Sequence, residues 1–306
     1  MTFTAPSARR AETKAGSLLR LAKRTAVTTV GALALLTGGA AQAGAPLVGL
    51  DGVGGIAFNP LAYLAGTPTE GSVIAKPIMG MWFIGLGNAH IDWTCVGMAT
   101  SLAKRVEVSY GFETVAIDGV ANVHKDTVAA KVLVLPENSG GDWVPAVSVG
   151  IKHKNTSFHR ADPMSSNAND FYLVATKLTT GLGLPVLFSA GVQSTQELVT
   201  GVIGFNKDRN IIEFANIDVI PASWLVVGFE YRGGTSYGSS AVPANYKDAP
   251  DWNLHAGIFA TKQMTVAVAY TNTGSNTAGV NPVAQPGPNP KIGFGGGFVV
   301  SMQYTF

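Results

Sequence analysis

The sequence predicts an all-β fold, a transmembrane antiparallel β-barrel of about 12 strands that follows a cleaved signal peptide. Three observations support this prediction. Only 13% of the 306 residues are charged, about half the share usual in soluble domains. Segment after segment alternates apolar with small or polar residues at a period of two, which is typical of strands. The connections between these segments alternate between long and short, as in outer-membrane barrels.

The first 43 residues have the organisation of an export signal. Six of the 21 basic residues fall in the first 24 positions, an apolar run follows at 25–36, and the sequence A-Q-A precedes Gly44. A basic region, a short apolar core and an A-x-A site define a secretory signal peptide. We therefore expect residues 1–43 to be cleaved after export through the general secretory route. The pair Arg9-Arg10 suggests the twin-arginine route, but the residues after it do not fit that signal.

The formal charge of +2 averages two unlike parts. The first 24 residues hold six bases and one acid, which leaves 15 bases and 18 acids, a charge of −3, for the remainder. This balance excludes a nucleic-acid-binding protein of extreme pI. A single cysteine excludes a disulfide framework and a cysteine-rich zinc site. We expect no cofactor and no metal.

The last eleven residues give the clearest strand. Large apolar side chains occupy every second position from Phe298 to Phe306, and mostly small or polar residues occupy the positions between them. The terminal Phe with Tyr two residues earlier resembles the C-terminal signal of bacterial outer-membrane barrels. We assign this assembly signal to Met302, Tyr304 and Phe306. The expected partners are therefore outer-membrane lipid and the barrel assembly machinery of a Gram-negative bacterium.

The same alternation predicts eleven further strands. The full set of expected strands is 81–87, 90–98, 104–113, 127–135, 144–153, 170–178, 185–193, 210–219, 223–232, 252–260, 263–271 and 296–306. Counted back from the C-terminus, the long connections fall on one side, at 114–126, 154–168, 194–209, 233–251 and 272–295. The short connections fall on the other side, at 99–103, 136–143, 179–184, 220–222 and 261–262. Barrels place long connections outside and short turns in the periplasm.

Two regions leave the strand number open. Residues 44–80 are an N-terminal lead, a plug or an extra strand before the barrel at 81–306. Residues 199–205 also have a strand-like composition. Counting both regions would give fourteen strands.

The predicted lumen carries charges of both signs. The inward candidates are His90, Asp92, Arg105, Glu107, Glu113, Lys131, Lys152, Glu230, Arg232, Asn253 and His255. On the same alternation, Trp93 and Cys95 face lipid. These charges form either a structural network across the strands or a pore lining that selects solutes by charge. Mixed signs favour the network, because a general ion porin would show one sign in excess.

Sequence signals for an enzyme are weak. The chain has no G-x-S-x-G, H-E-x-x-H or P-loop motif. Asn253 and His255 share a strand face, as residues of barrel phospholipases do, but they are predicted to face inward and no nearby serine completes the set. His153 and His159, near Asp162, are more typical of a solvated loop than of a metal site. We expect that the protein is not an enzyme.

Several short motifs add a resemblance. They are K-D at 247–248, D-W-N-L-H at 251–255, the strand at 266–270 with N-x-G after it, R-V-E-V-S at 105–109, and Gly54-Gly55. In these motifs the chain resembles a proteobacterial family of uncharacterised outer-membrane barrels. The resemblance implies an outer-membrane location and a barrel, and it implies no catalytic or binding residue.

The function predicted from these features is a narrow channel or transport protein for a small solute or an apolar compound. Twelve strands enclose a narrower lumen than the 16–18 strands of water-filled porins. One alternative is a structural or surface-interaction barrel with a plugged lumen. A lipid-modifying envelope enzyme is a weaker alternative, and a periplasmic β-sandwich is the alternative fold.

Overall fold

The computed structural model describes residues 47–87, 90–117, 121–158, 165–202, 204–239, 242–274, 291–292 and 294–306. The predicted signal peptide at 1–43 lies outside the described residues. Within the described part of the chain, no helix is long and apolar enough to cross a membrane. The regular structure there consists of strands.

Fifteen strands are described. They are β1 (Ile78–Leu86), β2 (Ile91–Leu102), β3 (Val106–Ile117), β4 (Ala121–Leu135), β5 (Ala146–Thr156), β6 (Asn167–Thr179), β7 (Val186–Glu197), β8 (Phe205–Ala222), β9 (Leu225–Arg232), β10 (Ser236–Ser239), β11 (Val242–Asp248), β12 (Asp251–Phe259), β13 (Met264–Asn272), β14 (Lys291–Ile292) and β15 (Gly296–Thr305). Twelve of them close a barrel in the order β1-β2-β3-β4-β5-β6-β7-β8-β9-β12-β13-β15. The remaining three, β10, β11 and β14, form a separate small sheet.

The predicted fold class is confirmed, with twelve barrel strands. Each expected strand overlaps an observed one. Residues 198–202 form turns, so the extra strand considered at 199–205 is not present there.

Three of the five connections on the predicted long side are shorter than expected, because the strands extend into them. The predicted loop 114–126 is mostly the paired ends of β3 and β4, and strand ends also occupy parts of the predicted loops 154–168 and 194–209. Outward side chains in these extensions are polar, for example Asp126 and Asn155. A strand that extends beyond the membrane needs no apolar outer face, so a search for apolar alternation misses it.

The barrel closes between its first and last strands. β1 pairs antiparallel with β15 from Ile78 opposite Thr305 to Gly85 opposite Phe298. At the far end of this seam the two backbones approach closely. A Cβ added to Gly297 would lie 1.9 Å from the carbonyl oxygen of Gly85, so position 297 requires glycine.

We expect Gly297→Val to weaken this seam. The added side chain must push the backbone of β1 away, at a cost of about 2 kcal/mol, which lowers the unfolding midpoint by about 5 °C. The measurement is the temperature at which the folded, fast-migrating band on SDS gels converts to the unfolded band. Gly85→Val is the matched control, because a Cβ there meets no atom within 4 Å. Equal midpoints for the two variants would contradict the predicted clash.

The outer face of the barrel is apolar and carries aromatic rings at both ends. Phe229, Trp252, Tyr270 and Phe298 form a row across β9, β12, β13 and β15, with ring centroids 6.4, 5.9 and 5.5 Å apart. A second group lies at the opposite end of β15, where the rings of Tyr304 and Phe306 are 5.2 Å apart. Apolar bands flanked by aromatic girdles are typical of membrane barrels.

Candidate functional site

The lumen of the barrel is filled by the chain that precedes β1. We call residues 47–65 the interior loop. Every residue of this loop is buried except Asp51, which is half-buried. Two antiparallel bridges, Val48 with Gly54 and Gly55 with Pro60, fold it tightly without making a strand of the barrel.

The two ends of the interior loop, which we call its first and second arms in chain order, both lead to the same end of the barrel. We call this end the turn end; it carries the short connections 103–105, 180–185, 223–224 and 260–263. We call the opposite end the loop end; it carries the long connections 233–250 and 273–295. On the first arm, the backbone of Val48 bonds to the side chain of Gln303, near the turn end of β15. On the second arm, Tyr63 donates to Glu137 in the β4–β5 connection.

One buried ion pair holds both arms. The Lys131 ammonium lies 2.9 Å from the Glu107 carboxylate, and both side chains are 1% exposed. Glu107 accepts hydrogen bonds from the backbone N–H groups of Gly54 at 2.8 Å and Ala65 at 2.6 Å. Lys131 donates to the backbone carbonyl oxygens of Gly54, Leu61 and Tyr63 at 2.9, 3.1 and 2.7 Å. The pair therefore supplies hydrogen-bond partners to backbone groups of the interior loop, which in a strand would bond to a neighbouring strand.

A second anchor holds the middle of the loop. Glu230 accepts hydrogen bonds from the backbone N–H groups of Phe58 at 3.0 Å and Asn59 at 2.6 Å. Behind Glu230, Asn253 donates to its other oxygen. His255 then bonds to Asn253 at 2.8 Å and to Asp218 at 2.6 Å. These side chains form one continuous polar row that positions the Glu230 carboxylate beneath the loop.

A third anchor is the ion pair between Lys152 and Asp51, at 2.6 Å. Burial alone would raise the pKa of Asp51, but the charge and hydrogen bond of Lys152 outweigh this and hold the pKa below its usual value. Asp51 therefore stays ionised at neutral pH, and this anchor keeps its full strength there.

Other buried charges lie nearer the loop end. Lys125 pairs with Glu113 at 2.8 Å, and Lys154 pairs with Asp170 at 3.0 Å. Glu197 lies between Lys154 and Arg232 and pairs with both.

The loop end is covered by the turn between β7 and β8. Lys125 donates to the carbonyl of Thr200 at 2.7 Å, and Thr156 donates to the carbonyl of Val202 at 2.9 Å. One cavity, between Asp51, Glu113 and Arg232, measures about 20 Å³, room for about one water. In the described part of the chain, the interior loop therefore fills the lumen and the β7–β8 turn covers it at the loop end.

Charge is distributed unequally around the lumen wall. The inward residues of β13, β15, β1 and β2 include no charged side chain, whereas each strand from β3 to β9 contributes at least one. On this uncharged side the inward residues of β13 and β15 are mostly small or polar, such as Thr265, Thr271, Ser301 and Gln303. We call the inward face of β1 and β2, together with Val299 of β15, the apolar wall. Its large buried side chains are Ile78, Trp82, Ile84, Leu86, Ile91, Trp93 and Val299.

The structure places eight of the eleven predicted lumen residues inside the barrel: Glu107, Glu113, Lys131, Lys152, Glu230, Arg232, Asn253 and His255. It brings most of them together as anchors of the interior loop or as ion pairs near the loop end. Most of these side chains bond to the interior loop or to one another.

The prediction was wrong for His90, Asp92 and Arg105. His90 is exposed in the turn before β2, with φ of 50°. Because β2 starts at Ile91, Asp92 points outward while Trp93 and Cys95 point into the lumen, the reverse of the predicted orientation. The alternation was assigned on the rule that apolar side chains face lipid, and this rule fails where the lumen wall is itself apolar. Arg105 is exposed in the β2–β3 turn and donates to the carbonyl of Leu133.

Sequence reasoning missed several lumen residues. They are Asp51, Lys125, Lys154, Asp170, Glu197, Asp218 and Gln303. Lys125, Lys154 and Glu197 fell in segments expected to be loops. The signal that could have found them is their period-two spacing with recognised lumen residues, such as Lys152 with Lys154.

Asn253 and His255, the pair compared with barrel phospholipases, lie in a hydrogen-bonded row inside the barrel. Both ring nitrogens of His255 are engaged, by Asn253 and Asp218. In the described part of the chain, the hydrogen bonds of His255 include no serine. His153 lies on the outer face and bonds to Asn169, while His159 and Asp162 lie outside the described residues. A group of three or more His, Cys, Asp or Glu able to hold a metal ion is absent from the described ranges.

Comparisons with known proteins identify a family and several similar folds. Residues 44–284 match the family model "Protein of unknown function (DUF3034)", which confirms the resemblance to an uncharacterised family. No curated protein matches the chain. The KdgM porin is similar with 14% identity and a TM-score of 0.46, covering 76% of this chain and 99% of that one. The NanC porin, with 11% identity and the same coverage, also has a TM-score of 0.46. Omp33 of Acinetobacter baumannii has 10% identity, the same coverage and a TM-score of 0.43.

Proposed function

Because the chain belongs to the family described as Protein of unknown function (DUF3034), we propose its function from its geometry: a gated narrow channel for a small solute in the Gram-negative outer membrane. The apolar outer face with aromatic rings at both ends supports this location. In the proposal the turn end faces the periplasm, and export uses the signal at residues 1–43. Met302, Tyr304 and Phe306, all exposed on the outer face, are the surface offered to the assembly machinery and to lipid.

One observation carries the proposal. The interior loop fills the lumen but is not a strand of the barrel, and both its arms lead to the turn end. It can therefore withdraw towards that end without breaking the barrel ladder.

The energetics of the loop are suited to a gate. Burial of each large apolar side chain of the loop contributes about 1.5–3 kcal/mol. Ordering each of its residues costs about 1–2 kcal/mol. The two contributions oppose each other over the whole loop, so a few anchors such as Glu107, Lys131 and Glu230 control the balance between the seated and the withdrawn loop.

A second candidate is a surface-interaction barrel whose lumen is permanently filled. The turn between β7 and β8, which covers the loop end, favours this candidate, because it closes the lumen independently of the interior loop. The small sheet of β10, β11 and β14 would then be part of the interacting surface.

Single-channel recording separates the two candidates. Purified protein, checked for the heat-modifiable migration of folded barrels, is reconstituted in planar bilayers under applied voltage. A gated channel gives rare, discrete openings in the wild type and more frequent openings when an anchor is removed. Folded protein that stays silent in the wild type and in every anchor variant would reject the channel and favour the filled barrel.

A further inference from the structure

We propose that the solute is an apolar compound and that it moves along the apolar wall of β1 and β2. This inference rests on the proposed channel function and specifies its solute class. An ion or a small polyol such as glycerol finds no charge and few hydrogen-bond partners along such a wall.

The first observation is the segregation of charge around the barrel. Four adjacent strands, β13, β15, β1 and β2, present no inward charged side chain, and β1 and β2 present Trp82, Ile84, Ile91 and Trp93. Seven adjacent strands, β3 to β9, carry the inward charges. A network that only filled the lumen could distribute its ion pairs around the whole circumference. Here the pairs are confined to one side, which leaves the other side uncharged and makes the inward face of β1 and β2 apolar.

The second observation is that the apolar wall extends beyond the interior loop. Leu86 and Ile91 lie at the loop end of β1 and β2, and Val115, Val123 and Phe294 pack in the same buried cluster. The rings of Trp93 and Phe294 meet edge to face, with centroids 6.4 Å apart. On the side of β1 and β2 the described part of the loop end is therefore apolar, whereas the ion pairs near the loop end lie on the other strands.

The third observation concerns what occupies the wall now. The indole N–H of Trp82 donates to the carbonyl of Val48 at 2.8 Å, and Leu50 and Phe58 pack in the same cluster as Trp82, Ile84 and Val299. The interior loop thus covers the wall with apolar side chains. When the loop withdraws, the wall would face water unless something apolar replaces them. An apolar solute has the chemistry to do so.

The polar side of the lumen has the complementary role. Its buried charges hold the loop through backbone groups, as Glu107, Lys131 and Glu230 do. One side of the lumen therefore positions the gate, and the opposite side contacts the solute.

The test is uptake by intact Gram-negative cells that make the full chain with the loop-releasing change Lys131→Met. The probes are radiolabelled naphthalene, which is apolar, and glycerol, which is polar. Ile84→Asn places a smaller, polar side chain on the apolar wall. We expect this change to lower naphthalene uptake about tenfold, because an apolar path discriminates strongly against a misplaced polar group. Glycerol uptake should be unchanged.

Two further variants complete the design. Thr127→Asn is the matched control, since Thr127 is buried on the charged side of the lumen; it should leave naphthalene uptake unchanged. Val299→Thr is nearly isosteric and tests the same wall if Ile84→Asn does not give a folded, heat-modifiable barrel. Its expected effect is a smaller loss in the same direction.

The outcomes separate this inference from the channel itself. If Lys131→Met conducts in planar bilayers but both wall variants leave naphthalene uptake unchanged, or lower naphthalene and glycerol equally, the apolar path is wrong and the channel stands. If Lys131→Met gives neither current nor uptake, the channel proposal fails as well.

Discussion

Lys131→Met is expected to raise the frequency of channel openings by a factor of about 100 or more. The change leaves Glu107 as an unpaired buried carboxylate and removes the donor to three carbonyl groups of the interior loop. Breaking a buried ion pair in this way costs about 3–5 kcal/mol. Most of this cost applies only while the loop is seated, because water can solvate Glu107 once the loop withdraws. Single-channel recording in planar bilayers measures the effect.

The neighbouring pair of Lys125 and Glu113 supplies the matched control. It joins the same two strands and is equally buried, but Lys125 donates to Thr200 in the β7–β8 turn and not to the interior loop. Lys125→Met should therefore destabilise the barrel and loosen the β7–β8 turn, but it should increase openings much less than Lys131→Met, because the interior loop keeps its anchors. Equal opening frequencies in the two variants would show that general loosening of the barrel, and not release of the loop, produces the current.

The double variant Glu107→Gln/Lys131→Met extends this comparison. It removes the buried charge that the single change leaves behind, so it should open less often than Lys131→Met alone. A double variant that opens more often than the single one would contradict the assigned role of the unpaired Glu107 carboxylate.

A disulfide between positions 48 and 97 is expected to abolish openings when oxidised. A Cβ added to Gly97 would lie 2.9 Å from Cγ1 of Val48, which is close to the distance of about 3 Å between a Cβ and the distal sulfur of a disulfide. Val48→Cys/Gly97→Cys, in a Cys95→Ala background that removes the free thiol of the same strand, would tie the loop to β2. The measurement is current in the same bilayer before and after reduction.

The reduced form of this variant should open more often than the wild type. The new side chain at position 97 would lie 2.8 Å from the Cα of Gly52 in the interior loop, so it crowds the seated loop. The single variant Val48→Cys in the same background controls for direct effects of the reductant. Identical currents in both redox states would mean that withdrawal of the interior loop does not gate conduction.

The sequence predicts the barrel well because each strand has one face towards an apolar solvent. Alternation at a period of two located all twelve barrel strands, including the final one from Phe298 to Phe306. Strand ends were less predictable. Beyond the apolar band, outward residues such as Asp126 and Asn169 are polar on strands that still pair, and alternation carries no signal there.

The lumen was predictable only where its wall is polar. Glu107, Lys131 and Glu230 stand out as charges in otherwise apolar strands, so their inward orientation could be read from the pattern. On β2 both faces contain apolar residues. Whether Asp92 or Trp93 points into the lumen therefore depends on what fills the lumen. That information lies in residues 47–65, whose glycines and short apolar runs have no period of their own.

The arrangement of the interior loop also has a consequence for the order of assembly. The loop precedes β1, which must pair with β15 to close the barrel, and both its arms lead to the turn end. Closure of the seam and entry of the loop are therefore topologically independent steps: a completed barrel can receive its own N-terminal segment afterwards. A newly assembled barrel would then have an unfilled lumen with one apolar wall. The first segment to bind that wall would be the interior loop of the same chain.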